Sequence, residues 1–149
     1  MSLNDAVNRF YYEMTISELR LVNETEGCPE ITHNSLLYLD LIAYTEDCTA
    51  SYIASTLGVS KPAVTAKLGE LMKQGLVTKR QSTEDRRINY LSVSNEVMNN
   101  HLKYDKIMAK AIDDVGGRYS AAELDAFGRI LVDLSISYSA EQQKETRQK

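Results

Sequence analysis

The sequence predicts a mainly α-helical protein with one small β-hairpin, and three observations support this fold class. Apolar residues recur at spacings of three and four through most of the 149 residues. Alternating and β-branched residues are concentrated in one short stretch, between residues 77 and 93. No apolar run approaches the roughly 18 residues that cross a bilayer, and the first ten residues do not resemble a signal peptide. We therefore expect a cytoplasmic protein that does not enter a membrane.

Two helices are predicted before residue 47. Asn4 or Asp5 is suited to cap a first helix, which continues to about Thr25. Thr32 is suited to cap a second helix over residues 33–46. Leucine and isoleucine occupy most of the circumference of this second helix, so we expect it to be central and buried.

A helix-turn-helix pattern follows. Thr49 is expected to cap a third helix over Ala50–Leu57, and Gly58 supplies the turn. Ser60 then caps a fourth helix, which Gly75 ends. In this motif the second of the two helices enters the major groove of DNA.

A hairpin with a charged tip comes directly after that motif. Its strands are predicted at Val77–Gln81 and Ile88–Val93, joined by a polar tip. Arginines at such a tip suit the narrow minor groove of A·T-rich DNA, and Asp85 can hold one of them by a salt bridge. Residues 32–93 thus read as a winged helix-turn-helix.

Two further helices are predicted after the hairpin. Ser94 or Asn95 begins a long helix to about Val115. Ser120 caps the last helix, and Glu123 completes a capping box with it. The last helix carries a heptad-like apolar seam, formed by Leu124, Phe127, Leu131, Leu134 and Tyr138.

The outer helices have more apolar surface than a small winged unit can bury. We therefore expect residues 5–25 and 95–140 to form a homodimer, within a single domain of residues 1–149. Two-fold symmetry would then present two recognition helices about 34–36 Å apart, as successive major grooves require.

Positive charge is concentrated where the DNA-binding motif is predicted. Residues 59–93 contain seven cations and three anions, a local charge of +4, whereas the whole chain carries −4. A basic region on an acidic chain is typical of a protein that meets a polyanion at one place.

The sequence does not indicate an enzyme or a cofactor. It has no Gly-rich phosphate loop and no nucleophile–base motif, and its two histidines, His33 and His101, lack metal-ligand spacing with carboxylates. Cys28 and Cys48 lie 20 residues apart with no CxxC motif, which argues against a zinc site. Their acidic neighbours are expected to raise the thiol pKa.

The residues from VSKPAVTAKLGELMKQGLVTKR to QSTEDRRINYLSVS resemble the MarR family of bacterial transcription regulators. The strongest match is Asp85-Arg86-Arg87 in the wing, preceded by Gly75-Leu76-Val77. The segment YSAAELDAFGRILVDL is similar to the closing dimerisation helix of that family. The resemblance extends from about Leu3 to Tyr138. One departure is Val93-Ser94, where the family usually has Leu-Thr.

The resemblance implies contacts with double-stranded DNA in both grooves. It places Arg87 in the minor groove, with Asp85 holding the wing arginines Arg86 and Arg87, and Lys79 or Arg80 near phosphates. It places major-groove contacts on Ser60, Lys61, Pro62, Thr65, Ala66 and Lys67.

The resemblance also implies a dimeric repressor that a small, often aromatic or phenolic, ligand releases from DNA. Such a ligand would bind between the dimerisation helices and the winged domain, and Tyr11, His33 and Tyr38 are the expected lining residues. Two alternatives stay open: a thiol-based redox sensor of the same fold, and a winged-helix module for protein–protein contact.

Overall fold

The computed structural model describes residues 1–24 and 29–147, with side chains as far as residue 145. Over these residues it contains six helices and a two-stranded sheet, which confirms the predicted fold class. None of these helices is both long and apolar enough to cross a membrane. The elements are α1 (Leu3–Asn23), α2 (His33–Ala43), α3 (Ala50–Leu57), α4 (Lys61–Lys73), β1 (Val77–Gln81), β2 (Asn89–Val93), α5 (Asn95–Gly116) and α6 (Ala121–Arg147).

The chain divides into two compact units, Met1–Asp105 and Lys106–Lys149. The first contains the helix-turn-helix, the hairpin and the core. The second contains the end of α5 and all of α6.

The core of the first unit is built around α2, as its continuous apolar sequence predicts. Leu36, Leu39 and Ile42 are buried, and the side chain of Leu39 is completely covered. Helix α4 contributes its apolar stripe at spacings of four and three. The other fully covered large side chains in this core are Ile31, Ile53, Val64, Leu71, Leu76 and Cys48.

The segment that leads into α2 is held by one side chain. Asn23, the last residue of α1, donates from Nδ2 to the carbonyl of Ile31 at 3.0 Å and accepts from the Ile31 N–H at 2.7 Å. This pairing satisfies both backbone groups of a buried residue outside any helix or strand. The sequence analysis did not identify it.

The predicted caps of α3 and α4 are present. The Thr49 hydroxyl accepts from Tyr52 N at 3.2 Å, and the Ser60 hydroxyl accepts from Ala63 N at 3.3 Å. Gly75 ends α4 with φ +76°, and the next N–H, of Leu76, bonds back into the last turn. The helix-turn-helix is therefore fixed by local hydrogen bonds at both ends of α4.

Two predicted helix boundaries are wrong. Helix α1 is capped by Ser2 rather than by Asn4 or Asp5, because Ser2 and Asp5 form a reciprocal capping box. Helix α2 ends at Ala43 rather than at residue 46, and the chain then turns through Asp47, which has φ +50°. The predicted end of α1 at Thr25 lies outside the described residues.

Two other boundaries shift. Strand β2 begins at Asn89 rather than Ile88, because the Ile88 N–H donates to the Asp85 carbonyl inside the turn. Helix α6 continues to Arg147, beyond residue 140, where the predicted dimerisation segment ends. An ion pair between Lys144 and Glu141, three residues apart, lies on this extension.

Two glycines of the α4 region give opposite predictions. Gly75→Ala should lower the free energy of unfolding by about 1 kcal/mol, because a Cβ is unfavourable at positive φ. Gly69→Ala should raise it by about 1 kcal/mol, because Gly69 is helical and a Cβ there would meet no atom within 4 Å. Urea unfolding of both variants measures the two free energies of unfolding. A change of the same sign in both variants would contradict the different backbone roles given to the two glycines.

Candidate nucleic-acid interface

The turn between α3 and α4 determines which side of α4 is exposed. Gly58 takes φ +64°, and the N–H of Val59 donates to the Ala54 carbonyl at 3.1 Å. The left-handed glycine reverses the chain within three residues, so α4 packs on α3 through one side only. Its other side is left exposed.

The exposed side of α4 contains most of the predicted major-groove residues. It is small in its middle and basic at its ends, where Lys61 and Lys73 stand. The Thr65 hydroxyl donates to the Lys61 carbonyl at 3.0 Å, one turn back along the helix. The predicted contact residues that are exposed here are Ser60, Lys61, Pro62, Thr65 and Ala66.

Lys67 differs from these residues. Only 14% of its side chain is exposed, and its ammonium group donates to both carboxylate oxygens of Glu70 at 3.1 Å. A lysine held in this way has less freedom to reach a phosphate than Lys61 has. Gly69, by contrast, is exposed and has open space above it, so another surface can approach closely.

The wing tip is ordered by its own hydrogen bonds. The buried Ser82 hydroxyl accepts from the N–H groups of Glu84 and Asp85 at 3.2 and 3.3 Å. The Gln81 side-chain amide donates to the Arg86 carbonyl at 2.6 Å. These contacts fix the backbone of a turn that has little apolar material to pack.

Asp85 holds Arg87, as the sequence predicts for a wing arginine. One carboxylate oxygen accepts from the Arg87 N–H at 2.9 Å and from Nε at 3.1 Å, and the other accepts from Nη2 at 2.9 Å. The bonds from Arg87 hold the pKa of Asp85 below its usual range and raise the pKa of the guanidinium. The Arg87 side chain is nevertheless 91% exposed. It is therefore oriented and charged, yet accessible.

Lys79 and Arg80 lie on β1, opposite Leu91 and Tyr90 of β2. Successive strand residues point to opposite faces, so the two cations cannot serve the same surface. Arg80 stacks over the Tyr90 ring at 5.2 Å and approaches the Asp47 carboxylate at 3.7 Å. Lys79 and Arg86 are exposed.

The three residues expected to line an effector crevice lie in different environments. Tyr11 is 67% exposed, His33 is exposed, and Tyr38 is buried. Two cavities of the first unit have volumes of about 10 and 230 Å³, and none of these three side chains lines either of them. Their role stays a prediction.

Cys48 is fully buried, with 0% of its side chain exposed. Burial raises the pKa of the Cys48 thiol. The sequence predicted a shift in the same direction, but it attributed the shift to acidic neighbours rather than to burial. Cys28 lies outside the described residues.

A group of potential metal ligands was missed by the sequence analysis. Glu18, Asp40 and His101 come from α1, α2 and α5, and their ligand atoms lie within 4.8 Å of one another. Burial and the Glu18 carboxylate raise the pKa of Asp40 to about 7, whereas burial lowers the pKa of His101. No sequence spacing joins residues so far apart, so only the fold could reveal this group.

Comparisons with known proteins agree with the winged helix-turn-helix fold. Residues 31–88 match the model of the MarR family. No curated protein matches the chain significantly.

Among solved structures, FabT of Streptococcus pneumoniae in complex with DNA is similar in fold, with a TM-score of 0.75 and 22% identity. The match covers 92% of this chain and 95% of FabT. A point mutant of MepR from a multidrug-resistant S. aureus clinical isolate has a TM-score of 0.66 at 17% identity, covering 93% and 98% of the two chains. The S. aureus MepR–DNA complex has a TM-score of 0.59 at 16% identity, covering 92% and 98%.

The brace on Arg87 is testable by mutation. In Asp85→Asn, the Arg87 side chain should lose orientation, because a neutral amide accepts from a guanidinium more weakly than a carboxylate does. ¹⁵N relaxation of the Arg87 Nε–H should show a lower order parameter. Glu84→Gln, at an exposed carboxylate of the same tip, is the control and should leave that signal unchanged.

The same signal should depend on pH. The Asp85 pKa is depressed in the fold, so the brace is present above the ordinary carboxyl pKa of 3.8 and is lost as pH falls through the lower folded value. An order parameter that stays constant down to pH 2 would contradict the ion pair.

Proposed function

We propose that the protein is a MarR-family regulator of transcription that acts as a dimer and represses genes by binding specific double-stranded DNA in the cytoplasm. The match of residues 31–88 to the MarR family model supports this proposal. The proposed contacts are the exposed face of α4 in the major groove and the wing in the minor groove. The residues proposed for this surface are Ser60, Lys61, Pro62, Thr65, Ala66, Lys67, Lys79, Arg80, Asp85, Arg86 and Arg87. Among them Asp85 acts by holding Arg87, and Lys79 and Arg80, which lie on opposite faces of β1, are alternatives for a phosphate contact.

The observation that carries the proposal is the braced arginine at the wing tip. Arg87 is exposed, fully charged and held by three hydrogen bonds to Asp85. A long cationic side chain usually loses rotamer entropy when it binds a partner. Here much of that loss occurs on folding, which favours insertion into a narrow, electronegative groove.

The exposed face of α4 is better suited to a close approach to the DNA groove than to the recognition of individual bases. Between Ser60 and Lys73 there is no Arg, Asn or Gln, the side chains that most often pair with base edges. Exposed small residues, including Ala66 and Gly69, let the helix backbone come near the groove. We infer that groove shape and wing electrostatics contribute more to specificity than direct hydrogen bonds to bases.

Two structural neighbours support the DNA-binding assignment. FabT and MepR have both been solved in complex with DNA, at 22% and 16% identity to this chain. The basic segment of residues 59–93 in this otherwise acidic chain adds independent support, because it coincides with the helix-turn-helix and the wing.

Exposed apolar surface supports the dimer. On α1, Phe10, Tyr11 and Tyr12 are more than half exposed. Across residues 121–145, α6 has no buried side chain at all. A helix of this length gains most of its stability from packing an apolar face, so the single chain leaves that face without a partner. A second copy of the chain is the partner that we propose.

Release by a small effector of the phenolic type completes the proposed mechanism. Such a ligand acts only if it binds one separation of the two recognition helices better than another. We place it in a crevice reached by Tyr11, His33 and Tyr38. Among the alternatives, oxidation of Cys48 is disfavoured because its thiol is buried, and a protein–protein module is disfavoured by the basic wing.

Replacement of Arg87 tests the DNA-binding proposal. Arg87→Ala should weaken binding about tenfold on every DNA sequence and reduce the salt slope, d log K/d log[salt], by about 1 in magnitude. Fluorescence anisotropy at two or more salt concentrations measures both quantities, with DNA selected from a genomic pool.

Arg118→Ala is the matched control, because Arg118 is an exposed arginine of the turn after α5. It should bind DNA like the unmodified protein. Unchanged affinity and salt slope in Arg87→Ala would contradict the wing assignment.

The dimer is tested separately. Light scattering at micromolar concentration should give twice the mass of one chain. Leu131→Glu places a charge on the apolar seam of α6 and should shift the mass towards one chain. Gln143→Glu adds the same charge at a polar position of α6 and should not. A mass of one chain for the unmodified protein would contradict the proposed dimer.

A further inference from the structure

Three helices of the first unit bring an imidazole and two carboxylates together at one point. Glu18 lies on α1, Asp40 on α2 and His101 on α5. One ligand atom from each lies within 4.8 Å of the other two. The group is separate from the wing and from the exposed face of α4, so the proposed function does not use it.

The distance between two of these atoms suits shared coordination better than a direct bond. His101 Nδ1 and Asp40 Oδ1 are 3.5 Å apart, at the outer limit for a hydrogen bond. Two ligands bound tetrahedrally to one zinc ion at about 2.0–2.1 Å would be separated by roughly 3.3–3.4 Å. The spacing of this pair therefore needs little adjustment to accept an ion, and the Glu18 carboxylate, within 4.8 Å of both, completes the group by a small movement of its side chain.

Two atoms of the group are left unsatisfied. Among the described residues, neither Asp40 Oδ1 nor His101 Nε2 has a hydrogen-bond partner, although His101 is only 5% exposed. Native proteins rarely leave buried polar atoms unpaired, and a site for a bound ion is one of the recognised reasons. Asp40 Oδ1 gains a partner directly if it binds a cation.

A small cavity next to the group can supply the rest of the coordination environment. Its volume of about 10 Å³ matches a site for one water molecule, and its polar lining includes Glu18 and His101. Ligating histidines usually donate from their second nitrogen to a carbonyl, a carboxylate or water. A water in this cavity would lie against the His101 side chain, which lines it.

We propose that Glu18, Asp40 and His101 bind a divalent transition-metal ion, with Zn²⁺ as the ion that this mixed imidazole and carboxylate set suits best. Three protein ligands and one water give the four-coordinate arrangement that zinc adopts at open sites. The ion would link α1, α2 and α5 through one shared centre. Its positive charge would also offset the repulsion between the neighbouring Glu18 and Asp40 carboxylates.

Zinc titration of the full-length, tag-free, chelator-treated protein tests the proposal. Calorimetry should give one Zn²⁺ per chain, and zinc should raise the melting temperature. His101→Gln and Asp40→Asn should each weaken zinc binding at least tenfold. Asp113→Asn, the same change at an exposed carboxylate of α5, should bind zinc like the unmodified chain.

Cobalt provides a second readout that does not depend on stability. Co²⁺ should give the visible absorption of a four-coordinate ion in the unmodified protein and in Asp113→Asn, and lose it in Glu18→Gln and His101→Gln. No binding at micromolar zinc would overturn the proposal. Equal zinc affinity in His101→Gln and the unmodified chain would also overturn it, because the ion would then sit elsewhere on the surface.

Discussion

The burial of α2 is the constraint on which the first unit depends. Leu36, Leu39 and Ile42 cover so much of the helix circumference that it must be surrounded, by α1 and α5 as well as by the winged motif. A helix in that position cannot turn every polar residue to solvent. Asp40 therefore lies half-buried against Glu18 and His101. The same packing that forms the core thus creates the most unusual electrostatic environment in the described chain.

The winged motif relies on short-range chemistry instead. Ser60 and Gly75 define the ends of α4, and Ser82 and Asp85 order the wing tip through bonds that span two or three residues. Each of these hydrogen bonds forms between neighbouring residues and does not depend on distant parts of the chain. This explains how a hairpin with little buried apolar surface can present a defined side chain. The proposed DNA-binding surface is therefore held by local hydrogen bonds, whereas in the proposed dimer its distance from the second copy would be set by the outer helices.

Sequence reasoning succeeded where the determining contacts are local. Strand β1, the caps at Thr49 and Ser60, and the pairing of Asp85 with Arg87 all follow from residues within a few positions. It failed at boundaries where two local options compete, as at Ser2, and where the partners are distant in sequence. Glu18, Asp40 and His101 share no spacing motif, so the sequence alone does not indicate that they lie close together. The apolar seam of α6 could be predicted because its helical spacing is visible in the sequence whatever the helix packs against.

The brace on Arg87 has a consequence for which DNA bases can be distinguished. A guanidinium has five N–H bonds, and Asp85 engages Nε and Nη2, the edge that would otherwise form a two-pronged contact with guanine. The outward edge that remains can approach the acceptors that adenine and thymine display alike in the minor groove. Exchange of A·T for T·A under the wing should thus be tolerated, while a G·C pair, with its amino group protruding, should not. In the proposed complex the base pairs under the wing are therefore distinguished by composition, A·T against G·C, and not by their order.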